Sequence, residues 1–482
     1  MSNQSVQNEN FTYWKHDIGW VLTLVFPPSV FYFSRNSGLS LYSQEFIAVA
    51  SSAVCMWVFD LTPIFVPALL VLVMTILLDI APKEIVLGGF TSDTFFMCLG
   101  IFILAAQILL SGLMYRITLL LLRALPVSKL SSNLILFLSG TLLTVVIPSP
   151  LGRSALLTPL IFELIGKKPQ EKNGKMSDIT PLLISGLHGT TLFSTIFLTG
   201  NPLNFVMLGF FDTQTQYRFQ WLNWFEATAI VGIVLFLGYL AVIYWLIRKS
   251  DWQPLDKNQV NELLTKIGPM TVKEWGGVIA IIGLSVGILT SSYHHVELAW
   301  LAFGTGVILY LYGSLSVKDL RTYIDWPILL FIASIASWGS IMEYLKLNKQ
   351  ISDFIATVEL LKYLQSHLLL GIVVLSVGIM LIRLLFPGGP TFVILMSAIM
   401  PLASSTGISP WVLGFIVLTI SEGFILPYQH GPYSQLTGEL ETRELTSAYR
   451  PRDMLIANTF LLIIRLVALY ITLPYWQKIA II

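Results

Sequence analysis

Residues 131–166 form an apolar run broken at its centre by Pro148-Ser149-Pro150-Leu151-Gly152, with Arg153 next in the chain. As one straight helix the run would be about 54 Å long at 1.5 Å per residue, against a hydrocarbon core of about 30 Å. Proline interrupts the helical ladder, and a broken helix in lipid must find partners for its freed backbone groups. Two arms of about 18 residues meeting at a turn fit the bilayer better. The stretch 367–404 repeats the pattern around Pro387-Gly388-Gly389-Pro390. Both stretches are therefore expected to be re-entrant hairpins.

The remaining chain supports a membrane setting. Of 482 residues, 55% are apolar and only 11% charged, and the mean hydropathy is +0.76. These values exclude an ordinary soluble domain. A net charge of +1 points to no nucleic-acid partner. Cys55 and Cys98 both lie in apolar segments and read as small core residues. The polar start, MSNQSVQNENFTYWKHD, lacks a cleavable signal pattern, so the first apolar segment reads as a retained helix.

Spans are expected near 18–33, 45–59, 62–80, 94–113, 180–211, 226–247, 275–291, 296–313, 326–345, 409–437 and 454–474. The N-terminus is placed inside, with each hairpin returning to the side it entered from. Eighteen Lys and Arg then fall inside and seven outside. That is the positive-inside bias, and a single crossing at 131–166 would place the basic loop 167–175 outside.

The two halves share one order: two spans, a third followed by an amphipathic segment (114–125 and 349–364), a hairpin, a broken span and a last helix. The broken spans carry Gly200-Asn201-Pro202 and His430-Gly431-Pro432. The expected fold is an all-α polytopic membrane protein, an inverted-repeat transporter with about 11 transmembrane helices and two opposed re-entrant hairpins. Its divisions are a cytoplasmic tail 1–17, a first helix 18–44 outside the repeat, and repeat 1 at 45–247 (hairpin 131–166, broken helix 180–211). A cytoplasmic linker 248–274, repeat 2 at 275–474 (hairpin 367–404, broken helix 409–437) and an extracytoplasmic tail 475–482 follow. The location expected is the plasma (inner) membrane.

Local sequence carries a resemblance as well. GFTSDTFFMCLGIFILAAQILLSGLMYRI and IDWPILLFIASIASWGSIMEYLKL resemble corresponding segments in the two halves of the divalent anion/sodium symporter (DASS) family of the ion-transporter superfamily. FLTGNPLNFVMLG and ILPYQHGPYSQLTG resemble its two proline-containing breaks. The resemblance covers residues 18–474. It implies a homodimer, with a scaffold domain and a mobile transport domain that holds both hairpins and both broken helices. The family's hairpin tips carry Ser-Asn-Thr, which coordinates sodium and substrate carboxylates. Here those positions read Ser149-Pro150-Leu151 and Thr391-Phe392-Val393, so this is a divergent member lacking both motifs.

Helix N-termini at the tips favour an anion, and freed carbonyls favour a cation. The residues expected around the anion are Ser149, Gly152, Arg153, Ser154, Asn201, Asn204, Gly388, Gly389, Thr391, Gln429, His430 and Ser434. A coupling sodium would be expected at Ser149, Gly200, Thr391 and Gly431, and a proton is the other candidate, His430 being able to carry one. No further cofactor is expected. Arg153 has two readings, an anion-binding or gating role and a structural one in which it pairs with an acidic residue and pins the tip. Glu422 is expected to pair with Arg383 or Arg465, and His188 to pack between helices.

The function expected is secondary active transport of a small anion (a di- or tricarboxylate, sulfate or similar oxyanion) by an elevator-type mechanism, with lipid and a second copy as partners. A cation/proton antiporter would want acidic residues at the breaks, where this chain has Arg153. A transport-inactive sensor or channel-like relative is the other alternative. No His-x-x-x-His, Gly-x-Ser-x-Gly or P-loop pattern is present, so no enzyme is expected.

Overall fold

The computed structural model describes residues 3–35, 38–165, 171–172, 175–252, 257–294, 296–347, 350, 368–384, 388–406 and 409–479. Most of the second amphipathic segment, 349–364, lies outside these residues, as does Pro387 at the second tip.

The chain is an all-helical polytopic membrane protein. A two-rung antiparallel ladder, Glu171–Lys172 against Lys175–Met176, is the only β pairing among the described residues. The helices of eight residues or more begin with α1 (Asn3–Ser34), α2 (Leu41–Val58), α3 (Phe65–Leu77), α4 (Asp93–Ser111) and α5 (Leu113–Ala124). Next come α6 (Lys129–Val146), α7 (Pro150–Ile165), α8 (Thr180–Thr191), α9 (Pro202–Gly209) and α10 (Trp221–Lys249). The second half holds α11 (Lys257–Ile267), α12 (Val272–Leu289), α13 (Leu298–Leu311), α14 (Trp326–Tyr344) and α15 (Leu368–Arg383). It ends with α16 (Gly388–Thr406), α17 (Pro410–Ser421), α18 (Gly431–Thr442) and α19 (Pro451–Lys478).

By length and apolarity, six of the described helices are able to cross a bilayer: α2, α4, α6, α10, α14 and α19. A seventh span arises if α11 and α12, bent by 103° at their junction, count as one. Arg116 of α5 fixes that bend, donating to Gly268 O at 2.7 Å and Pro269 O at 3.1 Å while pairing with Glu274 at 2.6 Å. Serines start several helices by capping free N–H groups: Ser40 for α2, Ser92 for α4, and Ser128 with Ser131 as a capping box for α6. Gly112, at φ 72°, ends α4 and turns the chain into the amphipathic α5.

Packing between the halves is reciprocal. Helix α3 packs on α14, and α4 on α13. The second arm of the first proline-broken stretch, α7, packs on α18, which follows the break in the second half. The corresponding arm of the second stretch, α16, packs on α9, which follows the break in the first half. The long helices α10 and α19 pair with each other. Within the first half, α6 and α8 touch backbone to backbone at Gly140 and Gly189. A Cβ on Gly189 would stand 2.6 Å from Phe137 O, so neither position admits a side chain without separating the helices.

Candidate functional site

Two interrupted helices lie at the heart of the molecule, and both interruptions follow one local design. Helix α8 stops at Thr191, a single 3-10 turn forms at Leu198–Gly200, Asn201 is extended (φ −153°, ψ 137°), and α9 starts on Pro202. Helix α17 stops at Ser421, a 3-10 turn forms at Pro427–Gln429, His430 is extended (φ −146°, ψ 119°), and α18 starts at Gly431-Pro432. Proline supplies no N–H and has a fixed φ, so Pro202 and Pro432 each remove one orphan donor from the first turn of the second half. Gly200 is required where it stands, since a Cβ there would meet Ser194 O at 2.7 Å.

Each interruption frees carbonyls, and arginines take them up. Arg153 is fully buried, on the first turn of α7. It donates to Thr190 O at 2.8 Å, Gly200 O at 2.7 Å, Ser194 Oγ at 2.8 Å and the Ile147 carbonyl. The guanidinium thus ties the first tip to both sides of the first break. In the second half Arg383 donates to Gly423 O at 3.1 Å and Gln429 O at 3.0 Å. Arg465, from α19, donates to Thr419 O at 3.0 Å. Hydrogen bonds to a charged group contribute about 1.5–3 kcal/mol each, so these contacts fix the irregular backbone firmly.

The amides do similar work. Asn204 Nδ2 donates to Ser194 O, Phe197 O and Leu198 O. Gln429 accepts from the Ile425 and Leu426 amides and donates to Arg383 O. Asn201 accepts from Leu203 N, while its Nδ2 donates to Glu422 Oε2 at 2.6 Å. That last bond joins the first break directly to the second.

The tips reach the same region. The side chain of Leu151 lies about 3.1 Å from where a Gly431 Cβ would stand, and a Gly388 Cβ would stand 3.2 Å from Ser421 O. Ser149 caps α7, accepting from Gly152 N at 3.1 Å, and Ser154 bonds Thr158 at 3.2 Å. Thr391 is buried near the start of α16, with Phe392 and Val393 fully buried beside it. A Cβ on Gly389 would face Ile64 at 3.4 Å, and Ser434 is exposed on α18.

His188 and His430 each stack on Phe424, with ring centroids 5.5 Å and 4.4 Å away. His188 Nε2 meets Asn458 Oδ1 at 2.9 Å. Six buried polar atoms in or beside the breaks have no hydrogen-bond partner among the described residues: His188 Nδ1, Thr195 Oγ1, Asn204 Oδ1, Thr419 Oγ1, Ser421 Oγ and His430 Nδ1. Such atoms cost roughly 1–3 kcal/mol each, and their concentration here marks a place with unused polar capacity. Ser194, Thr195, Thr419 and Ser421 were not among the residues expected from sequence. Small hydroxyl residues in an apolar run carry no motif that would have signalled them.

A count of buried charge completes the site. Among the described residues the buried charged side chains are Arg116, Arg153, Asp178, Glu274, Arg383, Glu422 and Arg465. Arg116 pairs with Glu274, and Asp178 meets Arg450 at 3.4 Å. Three guanidinium groups and one carboxylate remain, all at the two breaks. With Glu422 ionised, the region carries two positive charges in excess.

The description of the sodium:sulfate symporter transmembrane region matches residues 15–482. The chain belongs to that family. This is the divalent anion/sodium symporter family of the sequence resemblance, a family of membrane transporters and not of enzymes. A "membrane protein" of Cupriavidus necator is 24% identical to this symporter-family chain over 434 residues, 82% of this chain and 80% of the relative. An "uncharacterized transporter" of Haemophilus influenzae is 22% identical over 361 residues, 72% and 73% of the two chains. A "citrate/succinate antiporter" of Escherichia coli is 27% identical over 210 residues, 42% of each.

Proposed function

We propose that this symporter-family chain is a secondary active carrier of a small polyvalent anion, a di- or tricarboxylate or a similar oxyanion, working by an elevator-type movement. The observation that carries this reading is the excess of buried guanidinium over carboxylate at two helix breaks. Intramembrane charge is costly, and two uncompensated positive charges are best met by an anion arriving from solution. The starts of α7, α9, α16 and α18 add helix N-termini, whose dipoles also favour an anion. The relative that carries citrate and succinate supports a carboxylate.

The reciprocal pairing of the two halves supports an inverted repeat with α6–α7 and α15–α16 as its opposed helical hairpins. On this reading the hairpins, the broken helices α8–α9 and α17–α18, and the site between them move as one body against a scaffold that includes α4, α12 and α13. An apolar cavity of about 230 Å³ separates α4 and α12 from the Val145–Val146 end of α6 and from Thr199 at the first break. It is the kind of seam along which such a body would slide. The scaffold would form the homodimer contact.

Sodium has no clear role in this arrangement. Of the positions expected for a coupling sodium, Ser149, Gly200, Thr391 and Gly431, the Gly200 carbonyl is engaged by Arg153, and Arg153 and Arg383 also hold the carbonyls of Thr190, Gly423 and Gln429 around the breaks. The guanidinium groups thus supply the positive charge that a bound cation would otherwise bring, and the coupling is by exchange or by protons.

Uptake and counterflow in proteoliposomes test the reading, with carboxylates, sulfate and inorganic cations as cargo. The expected result is saturable uptake of a polyvalent anion and exchange of that anion across the membrane. Cation uptake with no anion movement would contradict it.

A further inference from the structure

The cavity beside the first break has no charged side chain among its described lining residues. Ile101, Leu104 and Ile108 stand along one face of α4, each no more than 3% exposed. From Ile101 to Ile108 the helix rises about 10 Å at 1.5 Å per residue, so the lined space is drawn out along the helix. Ile281 and Leu284 of α12, with Val145 and Val146 of α6, complete the apolar lining. Leu222, 45% exposed near the start of α10, and Ser285, exposed near the end of α12, put the mouth on the outer surface. The polar atoms of the wall are spent on one another. The Thr199 hydroxyl donates to Val145 O and accepts from Trp221 Nε1 at 3.4 Å. A buried water needs about two to four polar partners, so this space offers water little. Apolar cavities of about 150 Å³ stay dry and take a benzene-sized guest. This one holds about 230 Å³.

We propose that this cavity is a lipid-binding site, entered from the bilayer by one acyl chain of a membrane phospholipid. Three observations choose that occupant. The mouth lies between α10 and α12, helices that reach through the apolar layer, so the medium at its entrance is hydrocarbon. Trp221 is the first residue of α10, at the depth where aromatic rings mark the membrane interface and a phospholipid chain begins. From there the lining runs inward to Thr199 and the tip end of α6, the direction in which such a chain points. In lipid the gain comes from contact: atoms around a void lack partners on one side, and a chain supplies them. On the elevator reading above, the guest lies across the seam between moving body and scaffold. The site itself does not depend on that reading, and the two fail separately.

Purified full-length protein in phosphatidylethanolamine–phosphatidylglycerol vesicles tests the site. The probe is a trace of phosphatidylethanolamine carrying a diazirine at the end of one acyl chain. Illumination labels what the chain end touches, and peptide mapping locates the label. Surrounding lipid reaches Ile279 and Ile282, 66% and 57% exposed on α12, which give the reference. Ile101, Leu104 and Ile108 lie beyond its reach, and label is expected on them in the wild type. Leu104→Trp fills the space and should abolish label at Ile101 and Ile108 while the reference stays unchanged. If that variant does not fold, Ser285→Trp, which narrows the mouth from its exposed side, should have the same effect. Label confined to exposed residues of the wild type would overturn the proposal, as would interior label that the folded variant leaves unchanged. A free fatty acid with the same diazirine separates the sources. Interior label from the free acid alone would also overturn the proposal.

Discussion

Arg153 shows what a single buried charge does in this fold. Its visible anomaly in the sequence is a guanidinium beside a proline break in an apolar run. Its partners were not legible, because Thr190, Gly200 and Ile147 offer backbone carbonyls, and every residue type has one. Four donors spent on the protein make Arg153 the pin of the first tip, with carbonyls and Ser194 where sequence reasoning looked for an acidic residue. Arg153→Gln should therefore lower the stability of the purified protein by about 3–5 kcal/mol, since it removes a charge-assisted cluster and leaves buried carbonyls unpaired. Arg153→Lys should recover only part of this, an ammonium lacking the planar fork. Thermal unfolding of the detergent-purified variants, read beside anion affinity, checks the claim. Wild-type stability with lost binding would instead make Arg153 a direct anion ligand. Asn204 acts in the same manner, so Asn204→Ala should also destabilise, by about 2–3 kcal/mol for carbonyls left without a donor.

At the scale of elements, punctuation was the most readable signal. Pro150, Pro202 and Gly431-Pro432 each fall at the first turn of a helix that follows a break, as their chemistry requires. Gly112 likewise divides α4 from α5 within two residues of the expected boundary between the span 94–113 and the amphipathic segment 114–125. The stretch 248–274 had only its polarity to read, and reads as a linker. The structure has α11 there, an amphipathic helix that buries Val260 and Leu263 and is bent against α12 by Arg116. A short helix held by a tertiary contact from a distant segment leaves little trace in local sequence. The contact between α6 and α8 was equally hidden, since glycine is common in membrane helices for several reasons. Gly189→Ala should cost about 1–3 kcal/mol by overpacking against Phe137 O. Melting temperature reports it, and an unchanged value would show that α6 and α8 separate freely.

For the whole molecule, composition settled the membrane class and family resemblance settled the kind of protein. Neither placed the charges. The three arginines and Glu422 lie far apart in sequence, and only the packing of α7, α15, α17 and α19 brings them to two neighbouring breaks. Guanidinium groups occupy carbonyls of the breaks, and the proposal joined to that packing is that an anion is carried there without sodium. The most direct measurement is anion uptake into proteoliposomes with external sodium replaced by choline at constant pH and constant membrane potential. The same initial rate is expected in both salts. A rate that collapses in choline and returns with added sodium would contradict it, and would mean that arginine does not stand in for a coupling cation at these breaks.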